Sequence, residues 1–336
     1  MGVYLLSLAL GHKLTSLKEL SLANNSFLTG IIPGSIANMS SLYHLDLSTN
    51  QLEGPIPPDL GSMPGLQVLR LFENRLSGAL PYSLYNLSSL KEFLIARNTL
   101  SGIIPADIGD RFPTIQALGF SVNQFSGTIP PSVTNLTTLK RLLLDWNNFS
   151  GYVPPALGRL QSLNQLYLDC NNLKANDTHG WEFITSLSSC SQLQTLVLSN
   201  NSFSGKMPTS IANLSTTLQV LSFGIHRISG VIPSDIGNLV GLNFLYMGNN
   251  FLSGPIPESI GRLQNLPVLG LPSTSLSGQI PSSLGNLTQL VKLIMNQANL
   301  EGPVPTSLGN LKNVFILDLS ENRLNGSIPR ELIKTS

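Results

Sequence analysis

A chain of 336 residues is longer than one compact core usually grows, so it holds either two domains or a repeat array whose core lengthens with each unit. Only 11% of its residues are charged, against roughly 25% in an ordinary soluble domain, and the formal net charge is +1. This balance offers no bulk field for nucleic acid or an anionic membrane, and no apolar run approaches the roughly 18 residues of a membrane span.

The opening eleven residues, MGVYLLSLALG, are apolar but lack the positive n-region of a secretory signal. They read better as the stub of a repeat, because Val3, Leu6 and Leu8 match the strand spacing found later. Residues 1–16 are therefore taken as a truncated leading repeat. Strand-opening residues then recur at Leu17, Leu42, Leu66, Leu90, Ile115, Leu139, Leu163, Leu193, Leu218, Leu242, Leu266, Leu290 and Val314. Their spacing is 24 or 25 except from Leu163 to Leu193, where it is 30. Residues 17–336 thus read as about thirteen repeats in one array, with an irregular unit at 163–192.

One complete unit starts Leu42-Tyr-His-Leu45-Asp-Leu47-Ser-Thr-Asn50-Gln-Leu52 and continues Glu-Gly54-Pro-Ile56-Pro57-Pro-Asp-Leu60. Leu45 and Leu47 alternate inward on a short strand, so His44, Asp46 and Ser48 point outward. Stacked units pair these strands into a parallel sheet. Asn50 ends the strand, and its amide can bond the backbone of neighbouring units where the ladder stops. Asn fills this column at 25, 50, 74, 98, 123, 147, 171, 201, 250 and 322. His226, Thr274 and Ala298 interrupt it; the first two can still hydrogen-bond, whereas Ala298 cannot and marks a weak point. Gly54 permits a positive-φ turn and Pro57 fixes φ, which predicts an extended, poorly paired segment before a short 3-10 or helical turn carrying Leu60.

In the long unit, Trp181, Phe183, Ile184 and Leu187 are read as the apolar side of a short helix packed on the stack, in preference to a ligand hook. Cys170 stands at a strand exit and Cys190 at the next strand entry. That separation exceeds the roughly 7 Å reach of a disulfide, so both are read as thiols, Cys190 buried and Cys170 beside the asparagine column.

The segments Leu76-Ser-Gly78-Ala-Leu-Pro81, Phe125-Ser-Gly127-Thr-Ile-Pro130 and Leu276-Ser-Gly278-Gln-Ile-Pro281 resemble the plant-specific leucine-rich repeat. The irregular Asn176-Asp-Thr-His-Gly-Trp181-Glu-Phe183 run is similar to one in ectodomains of plant immune receptor-like kinases of the flagellin-receptor and rice blight-resistance type. The resemblance implies an α/β fold: a right-handed leucine-rich-repeat solenoid with a concave parallel β-sheet and a convex side of short β and 3-10 turns. It further implies a non-catalytic ectodomain that binds a peptide or protein, in a receptor that signals through a membrane span, a serine/threonine kinase and a possible co-receptor kinase. The cysteine-paired caps, the span and the kinase of that family have no counterpart in this sequence, so the chain is expected to be a fragment. The parent receptor would sit at the extracellular face of the plasma membrane, with no direct membrane insertion by this chain. The alternative is a secreted inhibitor of cell-wall-degrading enzymes, since polygalacturonase inhibitors share the Gly-x-Ile-Pro repeat.

No catalytic constellation stands out. The four histidines are scattered over separate units, and no zinc-protease, Cys-x-x-Cys, phosphate-loop or Gly-x-Ser-x-Gly motif occurs, so no enzyme, metal or cofactor is expected. Glycosylation sequons begin at Asn24, Asn38, Asn86, Asn135, Asn148, Asn176, Asn200, Asn213, Asn286 and Asn325, a density that suits the secretory route. The outward strand positions gather Arg70, Phe72, Glu73, Arg97, Arg141, Asp145, Trp146, Tyr167 and Asp169, with Phe244 and Tyr246 three units on. Aromatics and arginines carry binding hot spots, so an extended peptide is expected across units three to seven, its acidic groups meeting Arg97 and Arg141.

Overall fold

The computed structural model describes residues 14–333; most of the expected leading stub lies outside the described residues. The chain divides into two compact units, Met1–Pro154 and Pro155–Ser336.

In the first unit the main sheet contains the strands Glu19–Ser21, His44–Asp46, Val68–Arg70, Glu92–Leu94, Ala117–Gly119 and Arg141–Leu143. They pair in chain order, all parallel. The register sets Leu45, Leu69, Phe93, Leu118 and Leu142 side by side, and all five are buried. A period of two with one face inward fixes this register, because a slip of one residue would expose the whole column.

The second half of each repeat is better paired than its glycine and proline content suggests. The strands Thr29–Ile31, Gln51–Gly54, Arg75–Ala79, Thr99–Ile103, Gln124–Thr128 and Asn148–Tyr152 form a second parallel ladder. Glycine serves that ladder in two ways. Gly127 adopts φ +81°, and a Cβ there would meet Ile103 Cγ2 at 3.0 Å, so the side chain of one repeat lies on the bare glycine of the next. Proline then opens short 3-10 turns, such as Pro58–Ser62 and Pro131–Asn135, which bury Leu60 and Val133.

Asparagine closes the main strands as expected. Asn98 Nδ2 donates to the carbonyls of Leu71 (3.0 Å), Ile95 (3.0 Å) and Ala96 (3.3 Å), while its Oδ1 accepts Leu76 N–H at 2.9 Å. The same pattern recurs at Asn50, Asn74, Asn123 and Asn147. The residue preceding each asparagine is left-handed without being glycine: Thr49, Glu73, Arg97, Val122 and Trp146 all have φ between 52° and 55°. The amide ladder holds these corners in a region that side chains rarely adopt.

An aromatic chain runs through the interior of this unit. Phe93 packs edge-on to Phe112 and Phe120, at 6.1 and 5.3 Å between centroids; Phe120 stacks on Phe125 at 4.9 Å, and Phe125 on Phe149 at 6.4 Å. These rings take leucine positions in the repeat and add directional contacts to ordinary burial.

In the second unit the main sheet holds Gln165–Tyr167, Thr195–Val197, Val220–Ser222, Phe244–Tyr246, Val268–Gly270, Lys292–Ile294 and Ile316–Asp318, again parallel and in order. The irregular repeat forms a helix, Glu182–Leu187, that buries Phe183, Ile184 and Leu187. Trp181 is 5% exposed, donates its Nε1–H to Ser204 O at 3.2 Å and packs on Phe183, Phe203 and Phe223. The helix packs inward and presents no aromatic hook.

Cys190 is fully buried, with its thiol against Leu160 O at 3.4 Å, and burial pushes that thiol up to about 11. Cys170 occupies a left-handed corner and accepts from Asn200 Nδ2 at 3.4 Å. No disulfide joins the two.

The weak point expected at Ala298 has a structural signature. The second ladder shrinks to Ser275–Leu276 in that neighbourhood, and after a lone bridge from Gln279 to Glu301 it resumes only as the pair Glu301–Pro303 and Arg323–Asn325. Asn299 adopts φ +55° beside Ala298 and donates to Leu276 O at 2.9 Å, a contact the missing ladder amide would otherwise supply.

His226 fills an asparagine position by a different chemistry. Its Nδ1 accepts Asn201 N–H at 3.2 Å, and its ring lies against Phe203 and Phe223 with Nε2 buried and unpartnered. Burial lowers its pKa from 6.5 to about 4, opposed by the backbone contacts to Asn201 and Leu198. Because the folded value lies below the unfolded one, the unfolded chain takes the proton first as pH falls. Stability is therefore undiminished above about pH 6.5 and falls between pH 6.5 and 4, by on the order of 3 kcal/mol. His226→Asn should keep the ladder and abolish most of this acid sensitivity. Urea midpoints at pH 7 and pH 4 test this: equal acid losses in the two proteins would exclude His226 as the cause.

Candidate ligand-binding face

Outward side chains of the main sheet fall into columns set by strand register. In the first unit one column reads Glu19, His44, Val68, Glu92, Ala117, Arg141, and another reads Ser21, Asp46, Arg70, Leu94, Gly119, Leu143. Electrostatics link them. Arg70 reaches Glu92 Oε2 at 2.7 Å and Asp46 Oδ2 at 3.5 Å, and Arg141 reaches across the intervening Ala117 strand to Glu92 Oε1 at 3.4 Å. Glu92 is thus the hub of a four-residue charge chain. Sequence reading missed it because only the register reveals that it stands between two arginines.

Two of the expected site residues lie at the strand-exit corner instead of on the strand. Arg97 and Trp146 occupy left-handed corners, which swing them to the rim of the sheet, where Trp146 is 58% exposed. Arg97 approaches Glu73, another corner residue, at 3.6 Å, and Glu73 Oε2 accepts the Thr49 hydroxyl at 3.1 Å. Arg97 keeps 66% of its side chain exposed, so this pair contributes at most about 1 kcal/mol and leaves the guanidinium open to an incoming anion. Asp145 accepts the Ser121 hydroxyl; burial raises its pKa, opposed first by that hydrogen bond and, more weakly, by the charge of Arg97. Phe72 lies half-buried one position before Glu73.

The structure therefore brings Arg70, Phe72, Glu73, Arg97, Arg141, Asp145 and Trp146 to one face of the first unit. Its arginines differ in availability: Arg70 and Arg141 are committed to Glu92, and Arg97 is the most open. Tyr167, Asp169, Phe244 and Tyr246 belong to the main-sheet face of the second unit, where Tyr167 and Tyr246 share one column and Phe244 stands in the column beside it. All ten sequon asparagines are exposed. Among the described residues no helix is long and apolar enough to cross a membrane.

A family model described as Leucine Rich Repeat matches residues 16–39, 41–63, 65–87, 138–160, 192–214, 241–263 and 313–334. The receptor kinase-like protein Xa21 of Oryza sativa subsp. japonica is 46% identical over 76 residues, 23% of this chain and 7% of that protein. The match thus spans a small part of its relative, and the kinase named there lies outside the comparison. Among solved structures, a TDR receptor superposes with a TM-score of 0.83 at 30% identity, covering 94% of this chain and 57% of the other. The Arabidopsis receptor kinase HAESA, in complex with the peptide hormone IDA and the co-receptor SERK1, superposes at 0.61 with 30% identity, covering 95% of this chain and 64% of the other. The chain has a leucine-rich-repeat solenoid fold, and its relatives are plant leucine-rich-repeat receptor kinases.

Proposed function

We propose that the chain is the ligand-recognising part of a plant receptor-like kinase ectodomain, held at the extracellular face of the plasma membrane, glycosylated on its exposed sequons and able to engage a co-receptor kinase. The observation that carries this is the open Arg97 corner beside exposed Trp146, backed by the Asp46–Arg70–Glu92–Arg141 charge chain. A guanidinium fixed at a rim and an aromatic face within the same sheet suit a peptide whose carboxylate needs a forked donor and whose side chains need apolar contact. The charge chain orders the floor beneath it; with both carboxylates of the chain already paired, the remaining positive potential gathers at Arg97. The HAESA complex, in which a related fold holds a peptide hormone and a co-receptor, supports the same assignment.

In the receptor carrying this chain, Arg97→Ala combined with Trp146→Ala is expected to weaken ligand binding by about 10–100-fold while leaving the thermal midpoint unchanged. Arg141→Ala should have a smaller effect, because it acts through Glu92. Undiminished binding and response in the double variant would reject this face as the ligand site.

A further inference from the structure

The main-sheet face of the second unit has a different chemistry. Four successive strands with their exits, residues 194–200, 219–225, 243–249 and 267–273, carry no charged side chain at all. Rings pave this surface. A Cβ on Gly224 would fall 2.3 Å from Tyr246 Cε1, and one on Gly270 would fall 2.5 Å from Tyr246 Cδ2. The tyrosine ring therefore lies low over the sheet, its two edges in the space that side chains of the flanking strands would fill. Asn249 Nδ2 donates to its hydroxyl at 2.7 Å and holds it down. Pro272 covers Gly248 in the same way, with Cδ 2.4 Å from where that Cβ would be. Half-buried Val220, Phe244 and Val268 form the adjoining column.

The nearby polar groups are already engaged with one another. The Ser199 and Ser222 hydroxyls pair at 2.7 Å, and Gly224 N–H donates to Ser199 Oγ at 3.0 Å. Such a surface gives little to a charged group or to the many hydroxyls of a sugar. It offers apolar contact and an aromatic face.

We propose that this pavement seats an uncharged peptide segment bearing an aromatic side chain, which lies offset on the Tyr246 ring while its neighbours cover Val220 and Val268. The absence of charge over four strands is the complementarity that selects such a partner, since an ionic side chain placed there loses water and gains no counter-charge. Glycines at 224, 248 and 270 are the condition for it: any side chain at these positions would lift the rings and roughen the surface. The proposal rests on reading the chain as a ligand-binding module, and it concerns a face separate from the Arg97 corner.

The probe is a random dodecapeptide display library panned against the whole secreted chain, in parallel with Tyr246→Ala, Val220→Glu and the Arg97→Ala/Trp146→Ala variant. All four proteins are first matched by circular dichroism and thermal melting. The expected result is enrichment of uncharged peptides containing an aromatic residue. Their retention should fall at least tenfold on Tyr246→Ala and on Val220→Glu and stay unchanged on the Arg97/Trp146 variant. Enrichment of charged peptides, equal retention on Tyr246→Ala and the unaltered chain, enrichment of none, or preferential binding of a neutral oligosaccharide array would each overturn the proposal. Loss confined to the Arg97/Trp146 variant would uphold the first face and reject this one. Should Val220→Glu melt early, Tyr246→Ala alone decides.

Discussion

Leu142→Ala is expected to destabilise the protein by about 2–5 kcal/mol, whereas Leu143→Ala, one residue on, should cost under about 1 kcal/mol. The two substitutions delete the same atoms, so the difference isolates the environment. Leu142 is 1% exposed and pairs in register with buried Leu118; Leu143 is half-exposed on the outward face beside Gly119. Removing the first leaves a cavity against close-packed neighbours that cannot fully collapse, and removing the second returns a partly hydrated surface to water. The side chains immediately inside add to the penalty, because Leu144 is also fully buried and Phe120 and Phe125 stack in the same interior. Urea unfolding monitored at two wavelengths checks the pair. Equal losses would mean that the strand register is off by one, which would also turn every proposed ligand contact into a core residue.

The same alternation explains why the fold was so legible in the sequence. A period of two within a period of 24 leaves one solution for which leucines face inward, and each asparagine marks the residue at which a strand stops. The Trp181 segment was legible for a similar reason: with Trp181, Phe183, Ile184 and Leu187 close together, a helical turn is the simplest way to bury them all. Three things could not be read in this way. The left-handed corners at Glu73, Arg97 and Trp146 depend on a backbone conformation that no side chain there advertises, so corner residues were taken for strand residues. The role of Glu92 depends on which residues lie opposite it one and two repeats away, and spacing alone does not pair charges. The paved surface around Tyr246 depends on absences: glycines at 224, 248 and 270 look like variation in a repeat until a ring is seen occupying the space beside them.

The asparagine ladder allows a reciprocal experiment. Asn98→Ala removes one acceptor and three donor contacts at once, leaving Leu76 N–H and the carbonyls of Leu71, Ile95 and Ala96 partly buried without that partner. The expected loss is about 2–3 kcal/mol, more than one hydrogen bond is worth, because the orphaned backbone groups keep their desolvation cost. It should also relax Arg97, the corner residue that precedes it, and so weaken the face on which ligand binding is proposed. Ala298→Asn asks the opposite question. The asparagine would find the carbonyl that Asn299 now serves, let Asn299 leave its left-handed conformation, and extend the two-residue strand Ser275–Leu276 toward the length of its neighbours. A gain of about 1 kcal/mol is expected, with slower amide exchange at Leu276 and Ser277. The two outcomes are linked by one mechanism. If Asn98→Ala is costly but Ala298→Asn is neutral or destabilising, the ladder amide does not set strand length, and the break in the second sheet has another origin. If both substitutions behave as expected, a single side-chain amide per repeat controls the stability of the stack and the placement of the corner residues that this protein presents to its ligand.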